Sequence, residues 1–292
     1  MTQSGPTRVA VYLDFDNIVI SRYDQVHGRS SFQRDRANGL EKERLKLATV
    51  DIGAVIDFAS SFGTLVLTRA YADWSAHVNA AYHSQLVGRA VDLVQLFPAV
   101  NYSNKNGADI RLAVDAVEDM FRLPDLTHVV IVGGDSDYIA LAQRCKRLGR
   151  YVVGIGVAGA SSRSLAAACD EFVTYDALPG IPTVEATGPK TGKRGKRTTA
   201  SAPDDEPAPA DPQAAATGLL ERALRIAQEK DDDEWLHNSE VKAQMKRMDP
   251  SFSEKSLGFK SFSDFLRSRS DLVDLDESST TRMVRLHSDN PA

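Results

Sequence analysis

The chain has 292 residues, 42% of them hydrophobic and 26% charged, with a net charge of -5 at pH 7; this is material for a sizeable core and for two domains. No apolar run reaches the roughly 18 residues of a membrane span, and the opening MTQSGPTR lacks the apolar stretch of a secretory signal, so a cytoplasmic protein with no membrane contact is expected. Two cysteines, Cys145 and Cys169, and histidines in no close pair exclude a disulfide framework and a structural zinc site; the acidic balance excludes only a wholly basic nucleic-acid coat, because the charge that matters to a polyanion is local.

From about residue 8 to 176, apolar β-rich runs alternate with amphipathic stretches. RVAVYLD, TLVLTRAYA, VDLVQLF, HVVIVGG, YVVGIGV and EFVTYD predict strands, and the spacing of apolar residues predicts helices over 50–61, 75–87, 108–121, 137–147 and 161–168. Continuous apolar runs such as VVIV fit strands buried on both faces, so the fold class is α/β, a Rossmann-like parallel sheet sandwiched by helices. Between Asn17 and Ala48 lies a polar stretch longer than an ordinary connection. It reads either as a solvated insertion with a helical second half or as a guide for a polyanion through Arg22, Arg29, Arg34, Arg36, Lys42 and Arg44.

Residues 181–213 hold half of the twelve prolines and almost no bulky apolar residues, which is the composition of a linker. Its KTGKRGKR run reads as a charged, self-extending tether, a phosphate contact or an address signal. Beyond it, GLLERALRIAQEK, NSEVKAQMKRM and SFSDFLRSR predict three helices, the second capped by Asn238 or Ser239 and the third by Ser261; LVDLDESSTTRMVRL predicts a hairpin. Three helices and a hairpin suggest a small winged-helix domain whose core is Leu220, Leu224, Val241, Met245, Phe259, Phe262, Phe265 and Leu266. The expected division is 1–180, a linker over 181–213, and 214–292.

The chemistry concentrates in VAVYLDFDN, NGADIRLAVDA and VVIVGGDSDY. Asp14 ends the first strand, Asp109 opens a helix, and Asp135 and Asp137 follow another strand. A parallel sheet gathers ligands beyond the carboxyl ends of its strands, so these carboxylates are expected to converge, and converging carboxylates repel unless a cation joins them. Oxygen donors of this kind suit Mg²⁺ or Mn²⁺ and phosphoryl chemistry. Asn17 is expected to orient a water or a phosphate oxygen, or to satisfy the turn; Gly133 and Gly134 are expected to let the backbone turn sharply against a ligand. Helix capping competes as an explanation for Asp109 and Asp135. Asp16 and Asp115 are weaker candidates, the first turned away by strand alternation and the second placed on a solvent face of its helix with Asp119.

The strings DFDN, NGAD-x5-D and GGDSDY together resemble the NYN domains, a branch of the PIN-like nucleases, over residues 8–176. The resemblance implies a metal-dependent ribonuclease with Asp14, Asp109, Asp135 and Asp137 around divalent cations. The chain departs from the usual pattern in Tyr138, where Phe is frequent, in Phe15 and Asp16 within a D-G-x-N-like motif, and in Lys105, one place farther from the glycine. GFKSFSDFL and its flanking helices are similar to the OST-type helix-turn-helix, or LOTUS, module; this implies RNA binding there, with Lys242, Lys246, Arg247, Lys260 and Arg267 as phosphate contacts, or as plain surface charge. Lys105 is a further expected contact, and homo-oligomer formation is left open. Two rivals stand beside an RNA endonuclease. One is a haloacid-dehalogenase-like phosphatase, with Asp14 as nucleophile and Asp16 as acid and base; the other is an RNA-binding regulator that does not cut.

Overall fold

A computed structural model describes residues 6–97, 107–182, 211–228, 235–277 and 282–287; Lys105, the KTGKRGKR run and most of the expected linker lie outside them. The chain divides into two compact units, residues 1–187 and 188–292.

In the first unit the strands are β1 (Arg8–Asp14), β2 (Thr64–Ala72), β3 (Asp92–Gln95), β4 (His128–Val132), β5 (Tyr151–Gly156) and β6 (Glu171–Thr174). They form one parallel sheet in the order β3-β2-β1-β4-β5-β6. Every side chain from Val9 to Leu13 and from Val129 to Val132 is buried, which is why these strands read as unbroken apolar runs. Strand order reverses between β1 and β4, so the crevice of such a sheet opens beyond Asp14 and Val132.

The helices are α1 (Phe15–His27), α2 (Ser31–Asn38), α3 (Lys42–Leu47), α4 (Ile52–Ser60), α5 (His77–Ala80), α6 (His83–Gly88), α7 (Gly107–Arg122), α8 (Ile139–Arg147) and α9 (Arg163–Ala168). One face of the sheet packs Val11, Leu13 and Val130 against α1, α4 and α6; the other packs Tyr12, Val129 and Ile131 against α7, α8 and α9. Cys145 and Cys169 are buried and unbridged.

Three expectations are corrected. The polar stretch after Asn17 is three helices joined by short turns at 28–30 and 39–41: α1, α2 and α3 fold on a small core of Tyr23, Phe32 and Ala48. Two of its supposed guiding cations are consumed there, Arg22 by Asp176 at 2.5 Å and Arg44 by Asp35 at 2.9 Å. The single helix expected over 75–87 is broken into α5 and α6, with Asn79 drawn to Asp16 and the Tyr82 hydroxyl accepting from the Val50 amide. Asp115 is not on a solvent face. It is 8% exposed and Asp119 4%, because the Tyr71 and Tyr12 hydroxyls, on neighbouring strands, donate to them at 3.1 Å each. Arg111 and Arg69 pair with the same two carboxylates. The solvent side of α7 carries Arg111, Glu118 and Arg122 together with exposed Ile110, Val114 and Phe121.

In the second unit, α10 (Pro212–Gln228), β7 (Leu236–His237), α11 (Asn238–Met248), α12 (Phe262–Arg267), β8 (Val273–Asp276) and β9 (Met283–Leu286) follow in order. The strands make an antiparallel sheet ordered β7-β9-β8, one strand more than the expected hairpin. The expected core is buried except for half-buried Phe259, and Leu236, Phe252 and Val284 join it. Ser261 caps α12 by accepting from the Asp264 amide. The cap position of α11 is His237, not Asn238 or Ser239, because β7 runs directly into the helix and the Asn238 amide is bound to the Arg282 carbonyl. Among the described residues no helix is long and apolar enough to cross a membrane.

Candidate active site

At the carboxyl end of β1, Asp14 stops the strand and starts α1: its Oδ1 accepts from the Asn17 amide at 3.2 Å, an N-cap bond. Asn17 in turn accepts from the Gly134 amide at 3.1 Å, tying the start of α1 to the turn after β4. That bond uses the Asn17 side-chain oxygen, so the residue acts on the turn.

The glycines of this turn are needed for space. Neither has positive φ. A Cβ at Gly133 would stand 3.1 Å from the Tyr138 ring and 3.3 Å from the Asp14 Cβ; one at Gly134 would stand 3.0 Å from Ser161 Oγ. Asp135 occupies the cap position of the short 3₁₀ turn Ser136–Tyr138 without making a capping bond, so the capping explanation does not account for it.

Tyr138 is the residue that sequence reasoning missed; its one signal was the departure from Phe. Fully buried under Gly133, its hydroxyl lies 2.8 Å from Asp14 Oδ2 and 2.7 Å from Asp109 Oδ1, joining β1 to the first turn of α7. A phenol has one proton to donate. It can therefore donate to only one of the two carboxyls at a time. Burial pushes the Asp14 carboxyl up to about 7, with the charges of Asp109 and Asp16 acting the same way and the bonds from Tyr138 and Asn17 opposing. Asp109 is raised by burial first and then by the negative charges of Asp135 and Asp137, which places all four expected carboxylates in one electrostatic neighbourhood.

Asp16 faces elsewhere. The strand does not continue past Asp14, and the Asp16 carboxylate accepts from the Asn79 side chain at 2.6 Å and the Asp73 amide at 3.2 Å. It is committed to a structural network, which counts against an acid–base role beside Asp14.

Among the described residues no three His, Cys, Asp or Glu side chains are placed so that they could hold one metal ion. The donor chemistry nevertheless suits a hard divalent cation. All the donors are oxygens, Asp14 is only 4% exposed, and among the described residues no Lys or Arg forms an ion pair with Asp14, Asp109 or Asp135. Of these carboxylates only Asp14 is buried, Asp109 being half-buried and Asp135 and Asp137 exposed, so it is at Asp14 that confined negative charge is left for a ligand to neutralise.

The expected cations of the second unit divide. Lys242 is paired with Glu254 at 2.5 Å, and Arg267 with Asp264 and Glu277, so both hold the domain together. Arg247 is bound to Gln244 within α11, and Lys260 is exposed. Lys246 lies on α11 near enough to Glu254 to hold that carboxyl down, after Lys242 itself.

A doubly wound α/β domain with acidic groups at its switch point, followed by a winged-helix module, defines a nuclease-like architecture of the PIN type. The match to known families is direct: the NYN domain model covers residues 8–176 and the OST-HTH/LOTUS domain model covers 211–285. The chain belongs to the NYN family, within the PIN-like nuclease superfamily, and carries a LOTUS domain, which gives it an RNA-related nuclease or binding role. No curated protein matches it. Among solved structures, a protein of unknown function, VPA0982 from Vibrio parahaemolyticus RIMD 2210633, is similar at 22% identity and a TM-score of 0.44, over 60% of this chain and 96% of that one.

Proposed function

We propose that the protein is a metal-dependent endoribonuclease that hydrolyses phosphodiester bonds of single-stranded RNA, with its C-terminal domain as an RNA-binding module. The observation that carries this reading is the meeting of Asp14 and Asp109, from two different elements, on the Tyr138 hydroxyl at the sheet edge, with Asp135 and Asp137 acting electrostatically on Asp109. Asp14, Asp109, Asp135 and Asp137 are the residues that would hold Mg²⁺ or Mn²⁺. Such a cation supplies acidity to coordinated water and neutralises charge on the scissile phosphate.

The chain's own contribution is placement. Tyr138 fixes the separation of Asp14 and Asp109, Asn17 pins the Gly134 turn that carries Asp135, and burial keeps bulk water from Asp14. A single strand suits the site better than a duplex, because splayed nucleotides expose backbone to a narrow crevice. Lys246, Arg247 and Lys260 are the proposed phosphate contacts of the second unit.

The test is gel analysis of end-labelled single-stranded RNA with Mn²⁺ and with chelator, for the wild type and for Asp14→Asn and Asp135→Asn. Internal cleavage that needs the metal and vanishes in both variants is the expected result. Wild-type cleavage by Asp135→Asn defeats the site assignment, and binding without fragments in the wild type defeats the enzymatic reading.

A further inference from the structure

On the α1 face of the sheet, a cavity of about 340 Å³ opens between α1, α3 and the α5–α6 segment. This is at the lower end of small-ligand sites, which run from about 300 to 1,000 Å³, and suits one compact ligand. Its interior is apolar, with Val19, Leu45, Val78 and Ala81 among its walls and Tyr23 and Tyr82 beside them. The Tyr82 hydroxyl is occupied by the Val50 amide and the Gln85 Oε1 by the Ile52 amide. The Gln85 side-chain NH₂ is thus the donor that the wall can offer.

The rim has the opposite character. Lys42 and Lys46 stand one turn apart on α3 and therefore on one side of it, both exposed and, among the described residues, in no ion pair; His77 lies at the same cavity from α5. Arg22 and Arg44, the neighbouring cations, are already neutralised by Asp176 and Asp35. An apolar slot with one amide donor inside and two ammonium groups at its mouth complements a ligand that is flat and apolar at one end, anionic at the other, and able to accept a hydrogen bond. That is the chemistry of a nucleotide.

One hydrogen bond links the cavity to the carboxylates. The Asn79 side chain of α5 donates to Asp16, two residues beyond Asp14, so the helix that closes the cavity is joined to the segment that presents the carboxylates. We infer that this cavity is a nucleotide subsite of the RNA strand, taking one base between α1 and α5 while Lys42 and Lys46 hold the adjoining phosphates; the inference rests on RNA being the substrate. It gives the α1–α3 insertion a purpose: to build a second hold on the strand beyond the cutting point.

The experiment uses the full chain and a fluorescein-labelled single-stranded RNA of about 12 nucleotides, within the span such proteins cover, in EDTA so that binding is read without metal-dependent cleavage. Lys42→Ala with Lys46→Ala should weaken binding about tenfold and reduce the salt slope by about 1.4, the share of two phosphate contacts on a single strand. Ala81→Trp fills the cavity from a solvent-exposed position and keeps both lysines; it should weaken binding while leaving the salt slope unchanged, with its melting temperature recorded to exclude unfolding. RNA carrying 4-thiouridine should photo-crosslink to residues 42–49 or 77–85. Unchanged affinity in both variants, or crosslinks confined to 211–287, overturns the subsite.

The two readings fail separately. Wild-type binding and crosslinking at the cavity without cleavage in Mn²⁺ removes the nuclease reading and leaves the subsite standing. Cleavage with crosslinks only elsewhere does the reverse, and no RNA binding at all removes both.

Discussion

Removing one oxygen atom tests the centre of the site. In Tyr138→Phe the buried ring still fills the space under Gly133, but Asp14 and Asp109 lose the group that spaces them. Turnover on RNA should fall about tenfold to a hundredfold with KM little changed, since misplacement of reacting groups by even an ångström costs on that order. A purely structural role for the tyrosine would instead lower the melting temperature and leave turnover of the folded fraction intact. Asp14 supports a second prediction, about stability. Its carboxyl titrates near 3.9 in an unfolded chain and is pushed up to about 7 by burial in the folded one, so between these values the folded state holds a proton that the unfolded state has released. Metal-free protein should therefore lose stability as pH rises through that window, and this group adds no further change above it. Denaturant midpoints in chelator at about pH 4.5 and about pH 8 should show the loss in the wild type and a much weaker one in Asp14→Asn. An equal loss in the variant would assign the effect to other groups. Among these residues, Asp14, Asp135 and Asp137 drew notice by following strands and Asp109 by opening a helix, whereas Tyr138 could not be read in this way, because a phenol acquires its role only when two distant segments bring their carboxyls to it.

The strands of the first unit were legible almost to the residue: β1, β4 and β5, buried on both faces, have a composition that no solvent-facing segment imitates, and the partly exposed β2, β3 and β6 still read as β-rich apolar runs. Helices were read less well where their partners are remote. The buried face of α1 includes Arg22, whose countercharge Asp176 lies 154 residues away, so a stretch that is well packed reads locally as polar surface. The same cause hid the orientation of α7. Asp115 and Asp119, one turn apart, look like a solvated stripe until Tyr71 and Tyr12 are seen to offer hydroxyls from neighbouring strands. Asp119→Ala should accordingly destabilise the unit by about 2–4 kcal/mol in chemical denaturation, because it leaves the Tyr12 hydroxyl and the partly buried Arg69 without their shared acceptor. A change below about 0.5 kcal/mol, ordinary for surface positions, would return α7 to the solvated reading.

For the whole molecule, a net charge of -5 sets how it meets a polyanion: attraction has to come from local cations, and the strongest of these are partly spent. Lys242 and Arg267 secure the C-terminal fold through Glu254, Asp264 and Glu277, leaving fewer contacts there than the sequence promised. Arg247→Ala combined with Lys260→Ala should weaken the binding of long single-stranded RNA and lower its salt slope by about 1.4, while cleavage of a dinucleotide stays at the wild-type rate. Equal loss on both substrates would mean that the second unit supports the fold of the first and does not recruit RNA.

The double duty of Asp14, which begins a helix and also bears the most confined negative charge of the edge, has an evolutionary implication. Asparagine serves equally well at the start of a helix and brings no charge to hide. The fold therefore does not demand an acid at this position: a descendant with that replacement would keep the start of α1 and shed the confined charge, so whatever work that charge does stands a single codon change from loss while the scaffold persists.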